Sequence, residues 1–171
     1  MKAREINIDG YNGLVRKHEP MSKHSTYHIG GPAQYFVYVN DIQALKETVE
    51  YGKEHGIKQI IVGDCSNFLV SDEGFDGAVI KLAGDFNKFS FDLNRNICTV
   101  GAGVKTAKIY NEFQKNYYKG LGYCVGIPGT IGGAVKMNAG RKRQWISSSL
   151  TSVKIMNRDA KVENLKATDL E

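Results

Sequence analysis

Two glycine-bearing segments carry residue types suited to holding phosphate. The first, Gly63-Asp64-Cys65-Ser66-Asn67-Phe68-Leu69-Val70, directly follows a short apolar run. Small residues there let the backbone turn sharply and aim successive N–H groups outward, a nest for anionic oxygens. Ser66 and Asn67 add side-chain donors. A plain surface loop would show the same local pattern. The second segment runs from Gly126 to Gly140, with five glycines and one proline in 15 residues. It is apolar, whereas a flexible linker is polar. Such backbone packs closely against something flat or bulky, either a ligand or a neighbouring element. Gly132-Gly133-Ala134 reads as a helix start whose first N–H groups face a ligand. Val100-Gly101-Ala102-Gly103 opens like the dinucleotide fingerprint G-x-G-x-x-G, but the last position is Thr106 and the preceding strand belongs to a hairpin. A lone G-x-G is weak, and the Rossmann reading is rejected.

The elements that must position these loops follow from periodicity. Residues 1–20 are polar and mixed and read as an N-terminal extension with one short helix. Gln34 to Val39 is aromatic and β-branched, hence a strand. Asp41 caps a helix on which Ile42, Leu45 and Val49 form the apolar face, with Gly56 as its stop. Gln59 to Val62 and Ala78 to Leu82 are buried strands. Residues 21–82 therefore form a first, α/β lobe with parallel pairing. After Leu82 the pattern changes. Phe89 to Leu93 and Ile97 to Val100 flank an Asn94-Arg95-Asn96 turn, Lys105 to Tyr117 reads as a helix, and Leu150 to Met156 with Lys161 to Leu165 forms a second hairpin around Asn157-Arg158-Asp159. Residues 83–171 form a second lobe, an antiparallel sheet plus helices. The fold class expected is α+β.

Composition narrows the partners. With 42% hydrophobic and 24% charged residues the chain has an ordinary globular composition. No apolar run approaches the ~20 residues that span a bilayer, and the start lacks the apolar core of a secretory signal, so no membrane role and a cytoplasmic location are expected. Cys65, Cys98 and Cys124 form no CxxC pair and no metal spacing with the four histidines, which fits free thiols and no metal site. The net charge of +5 suits an anionic ligand. There is no RNP-like aromatic motif, zinc pattern or helix-turn-helix, so nucleic acid is not the expected partner.

Four stretches occur in order: Thr26-x-x-Ile29-Gly30-Gly31-Pro32-Ala33; Gly63-x-x-Ser66-Asn67-x-Leu69-Val70-Ser71-Asp72-x-Gly74-Phe75-x-Gly77; Gly101-Ala102-Gly103; and Gly126-Ile127-Pro128-Gly129-Thr130-Ile131-Gly132-Gly133-Ala134-x-x-Met137-Asn138-Ala139-Gly140. From Ser25 to Glu171 the chain resembles the UDP-N-acetylenolpyruvoylglucosamine reductases, also called UDP-N-acetylmuramate dehydrogenases. The resemblance implies a two-lobed FAD-binding domain of the p-cresol methylhydroxylase or vanillyl-alcohol oxidase type. It implies that the loop around Ser66 and Asn67 holds the FAD pyrophosphate and that the loop Gly126 to Gly140 lines flavin and phosphates. The cofactor-binding residues it points to are Gly63, Asp64, Cys65, Ser66, Asn67, Phe68, Gly126, Ile127, Pro128, Gly129, Thr130, Gly132, Gly133, Asn138 and Gly140. The family takes hydride from NADPH onto FAD and passes it to the enolpyruvyl UDP-sugar, a step of peptidoglycan synthesis.

The chain departs from that family in three respects. The family continues past a segment like Thr168-Asp169-Leu170-Glu171 with a Tyr-Arg-x-Ser stretch and a third domain that closes over the substrate. The substrate arginine, the serine proton donor and a late glutamate lie there, so no catalytic residue is carried over, and Ser147, Ser148 and Ser149 read as a polar loop. Without positioning and an acid, the chain alone is expected to give no turnover of the UDP-sugar. The first loop carries Asp64 and Cys65 where the family is glycine-rich; a carboxylate there opposes a pyrophosphate unless it points to solvent. Arg141-Lys142-Arg143 replaces Ala-Tyr-Gly, and these cations either pair with phosphates or form a solvated face. Three readings stand: the FAD half of a reductase, a stand-alone FAD-binding protein or diverged oxidoreductase, and a relic without cofactor.

Overall fold

A computed structural model describes residues 4–6, 10–141 and 143–170. Its main sheet is made of β1 (Arg4–Ile6), β2 (Gly13–Pro20), β3 (Pro32–Val39), β4 (Gln59–Val62) and β5 (Phe75–Leu82), with α1 (Ile42–Glu54) joining β3 to β4. The strand order is β1-β2-β3-β5-β4. β3, β5 and β4 run parallel, as a strand–helix–strand chain dictates, whereas β1 and β2 add on antiparallel. Of the extension expected over residues 1–20, residues 1–3 and 7–9 lie outside the described residues, and the rest that is described holds strands rather than a helix. Gly13–Pro20 is a sheet strand that sets Val15 opposite Val37 and Leu14 opposite Tyr38. The run Arg16-Lys17-His18-Glu19 hid its alternation.

Period-two alternation divides the core between the two faces of this sheet. Val37 and Val39 of β3 and Ile80 of β5 pack with Val15, Ala78, Ala44 and Leu45 beneath α1. Phe36 and Val79, one residue out of phase, pack on the other face with Met21, Ala33, Val62 and Cys65. Asp41 caps α1, its Oδ1 accepting from the Ala44 N–H at 2.8 Å. Gly56, at φ 63°, takes the left-handed position just beyond the helix. The buried face of α1 carries Ala44 and Leu45, while Ile42, expected on it, is half exposed.

The second half holds β6 (Phe89–Asp92), β7 (Ile97–Val100), α2 (Thr106–Lys115), α3 (Ile131–Lys136), β8 (Gly140–Arg141), β9 (Gln144–Trp145), β10 (Ser152–Met156) and β11 (Val162–Lys166). The single antiparallel sheet expected here is replaced by three separate hairpins, β6–β7, β8–β9 and β10–β11. Their connecting loops use their own polar groups instead of a common ladder: Gly101 N–H donates to Lys88 O and Gly103 N–H to Phe86 O. Asp92 Oδ1 accepts from the N–H groups of Asn94 and Arg95 and so closes the first hairpin. Asn157 does the same in the last one, accepting from Asp159 and Lys161. A third core of Tyr123, Cys124, Ala134 and Ile146 lies under the second glycine segment. Met156 packs against the α1 side of the sheet. Among the described residues no helix is long and apolar enough to cross a membrane.

Candidate functional site

The first loop leaves β4 at Gly63 and is pinned from below by Cys65. Cys65 has φ 49° and is buried in the core with Phe36 and Val79. Burial pushes its thiol pKa up, so it stays protonated. Phe68 packs on the same core, while Asn67 is exposed. The turn Tyr27–Gly31 backs the loop, with Gly31 N–H donating to Ser71 O at 2.8 Å. A Cβ on Gly31 would collide with the Asp72 carbonyl. The loop turns at Ser66-Asn67, and among the described residues no hydrogen bond of ordinary geometry engages the backbone N–H groups of Gly63, Asp64, Cys65, Ser66 and Asn67. Unpaired donors this dense are rare in folded chains and mark either hydration or a ligand.

Asp64 is paired with cations and does not simply point to solvent. Its Oδ1 lies 3.7 Å from Lys81 Nζ and its Oδ2 3.6 Å from Lys105 Nζ. Lys81 comes from β5 and Lys105 from the segment that enters α2, so this carboxylate bridges the two halves of the chain.

The second loop is shaped by one buried threonine. Thr106, at the start of α2, is 1% exposed. Its Oγ1 donates to Ile127 O at 2.6 Å and lies 3.2 Å from Gly129 O, and its N–H donates to Gly129 O at 3.0 Å. Gly126 (φ 75°) and Gly129 (φ 111°) take conformations that a side chain would strain. Arg141 Nη1 donates to Val125 O at 3.2 Å, so this cation braces the loop entrance; Arg143 sits in the β8–β9 turn, and Lys142 lies outside the described residues.

The helix expected at Gly132-Gly133-Ala134 starts at Ile131, and its first N–H groups do not face outward. Ile131 donates to Val104 O, Gly132 to Ala102 O and Gly133 to Thr130 Oγ1. Gly132 is a packing glycine, since a Cβ there would stand 2.8 Å from the Ala102 Cβ. Asn138, exposed, accepts from Ser147 N–H at 3.3 Å, and Gly140 closes against Gln144 and Trp145 of the β8–β9 hairpin. The donors left open in the second loop, among the described residues, include the N–H groups of Gly126, Gly129 and Thr130.

The two loops meet face to face. A Cβ on Gly63 would collide with Thr130 Oγ1, and one on Gly129 would come within 3.0 Å of Ser66 Oγ. Ser66 Oγ donates to Pro128 O at 3.4 Å. Of the residues expected from sequence, Gly63, Asp64, Ser66, Pro128, Gly129 and Thr130 converge, while Gly132 packs on Ala102, Gly140 closes on the β8–β9 hairpin, and Gly133 and Asn138 are exposed. Lys81, Lys105 and Thr106 were not anticipated. Thr106 was legible only as the residue that spoils the G-x-G-x-x-G pattern, and the lysines' proximity comes from sheet register and loop docking. The convergence offers open donors, two ammonium groups and close backbone approach, a set that matches a phosphorylated ligand.

Comparison with known proteins gives this arrangement a family. A family model described as an FAD binding domain matches residues 33–166. The UDP-N-acetylenolpyruvoylglucosamine reductase of Bacillus licheniformis is 41% identical over 151 residues, which cover 88% of this chain and 49% of that protein. Its counterpart in Caldicellulosiruptor saccharolyticus is 38% identical over 167 residues, covering 97% and 53%. The chain thus spans about half the length of the curated relatives it matches. Among solved structures, UDP-N-acetylenolpyruvylglucosamine reductase from Thermus caldophilus superposes with a TM-score of 0.75 at 28% identity, covering 98% of this chain and 54% of that one. Cholesterol oxidase from B. sterolicum superposes at 0.66 with 15% identity, covering 96% and 35%, and shows the fold alone.

Proposed function

The chain belongs to the FAD binding domain family, and from its likeness to UDP-N-acetylenolpyruvoylglucosamine reductases we propose that it is the FAD-holding part of such a reductase. The observation that carries this is the meeting of the open N–H groups of the first loop with those of Gly129 and Thr130, beside Lys105. The residues present fit the cofactor. A diphosphate needs many donors and local positive charge, and glycines at the meeting point leave room for no side chain. Gly63 to Phe68 and Gly126 to Thr130 would hold FAD, with Gly132, Gly133, Asn138 and Gly140 keeping the second loop in shape. The grip would come from both lobes, residues 21–82 and 83–171, with Gly13–Pro20 added to the first.

The chemistry FAD held here would supply is a redox relay between NADPH and the enolpyruvyl group of the UDP-sugar, toward peptidoglycan synthesis. The chain's own residues bind and orient: Thr106 and Arg141 set the second loop, and Cys65 fixes the first. No catalytic residue is assigned among the described residues.

The test is the visible absorption spectrum of the 171-residue protein after incubation with FAD and desalting. Flavin bands near one equivalent are expected. A protein that emerges colourless, with no FAD binding in direct titration, would refute the reading.

A further inference from the structure

The first loop places a carboxylate among its own open N–H groups, which is a poor arrangement for a site meant to hold an anion. The geometry explains how it is tolerated. Asp64 is anchored by its neighbour Cys65, whose left-handed backbone and buried side chain fix where the loop points. Its carboxylate is 25% exposed and lies between Lys81, also 25% exposed, and Lys105, 69% exposed. Lys81 comes from β5, an interior strand flanked by β3 and β4, and is the more buried of the two lysines. Lys105 precedes α2, its backbone bridged to Thr130 of the second loop and its side chain largely solvent-exposed. The ion pair to Lys81 is thus the more sheltered of the two, and the ion pair to Lys105 is exchangeable.

We propose that Asp64 is an internal counter-anion of the cofactor site. Without cofactor it neutralises Lys81 and Lys105. When the FAD diphosphate enters, it competes with Asp64 for Lys105, so Asp64 sets how tightly FAD is held. This rests on the reading that the two loops bind FAD. The three side chains carry a net charge of about +1, against about −2 for the diphosphate; with asparagine in place of Asp64 they would carry about +2. A unit charge a few ångströms from an anion at a partly exposed site changes affinity by about three- to tenfold.

The experiment is a titration of the full chain with FAD, followed by flavin fluorescence at low salt, for the wild type, Asp64→Asn, Lys105→Met and the double variant. Thermal unfolding of each without FAD serves as the control for folding. Asparagine keeps the shape of the side chain and removes its charge. The expected result is FAD bound three- to tenfold more tightly by Asp64→Asn, with Lys105→Met weakening FAD more in the Asp64→Asn background than in the wild type. Asp64→Asn binding FAD only as well as the wild type, or less well, with an unchanged unfolding midpoint, overturns the inference and leaves the proposed function standing. A lower midpoint accompanied by weaker binding assigns Asp64 to holding the loop's shape and also overturns it. FAD binding by neither protein sinks the proposed function and this inference together.

Discussion

The hydroxyl of Thr106 donates to the carbonyl of Ile127 across 21 residues of chain, at 2.6 Å and almost wholly out of solvent. That bond and the Thr106 N–H to Gly129 O hold the second loop by two carbonyls at once. Thr106→Val keeps the volume and removes the donor. A buried acceptor left without its partner costs about 1–3 kcal/mol. Thermal unfolding should show that loss, FAD affinity should fall by about tenfold or more, and Thr106→Ser should restore most of both. Unaltered FAD affinity in Thr106→Val would separate this bond from the cofactor site.

Gly63 tests whether the two loops must touch. Its missing Cβ is the space that Thr130 Oγ1 occupies. Thr130 is itself buried and caps α3, so it cannot retreat freely. Gly63→Ala is expected to destabilise by about 1–3 kcal/mol and to weaken FAD severely. Gly122→Ala, with nothing within 4 Å of the new methyl, should stay within about 0.5 kcal/mol of the wild type. Equal behaviour of the two variants in chemical denaturation would refute the close approach.

Glu19 is 2% exposed and lies within 3.6 Å of Arg16, 3.8 Å of Lys23 and 3.0 Å of His24. Glu19→Leu would strand these partners against the core of Phe36 and Met21. The partners themselves are partly exposed, which lowers the penalty to about 1–3 kcal/mol. A urea midpoint equal to that of the wild type would mean that the cations simply turn to water.

His24 gives stability a pH dependence. Its ring stacks on Phe36 at 4.0 Å. Desolvation lowers its pKa below 6.5 and outweighs the Glu19 hydrogen bond and charge that raise it, with Lys81 and Arg16 adding to the fall. In the unfolded chain the imidazole takes up its proton near pH 6.5, and in the folded protein only at lower pH. Its contribution is therefore intact above pH 6.5, declines as pH falls from 6.5 toward the lowered value, and levels off below it. Urea midpoints measured over that window should slope downward with falling pH in the wild type, and His24→Gln should flatten the slope. Parallel curves would assign the dependence to other groups.

Residue types along the chain sufficed for much of this. The β-rich runs Gln34 to Val39 and Ala78 to Leu82, the cap at Asp41 and the turns at Asn94 and Asn157 are short-range signals, and each formed, the two strands extending to Pro32–Val39 and Phe75–Leu82. The order of glycines from Gly126 to Gly140 likewise pointed to close backbone packing. What the chain order could not give is which glycines face each other and which cations reach the site. Gly13–Pro20 reads as polar chain until pairing with β3 buries Val15, because half of a strand's character comes from its neighbour. The N–H of Gly132, expected to face a ligand, is directed to Ala102 O, a partner the local sequence does not name. Lys81, Lys105 and Asp64 stand far apart along the chain; the register of β4 on β5 brings Lys81 within 4 Å of Asp64, and the packing of the second half against the first brings Lys105 there, because Coulomb interactions depend on distance in space and not along the sequence.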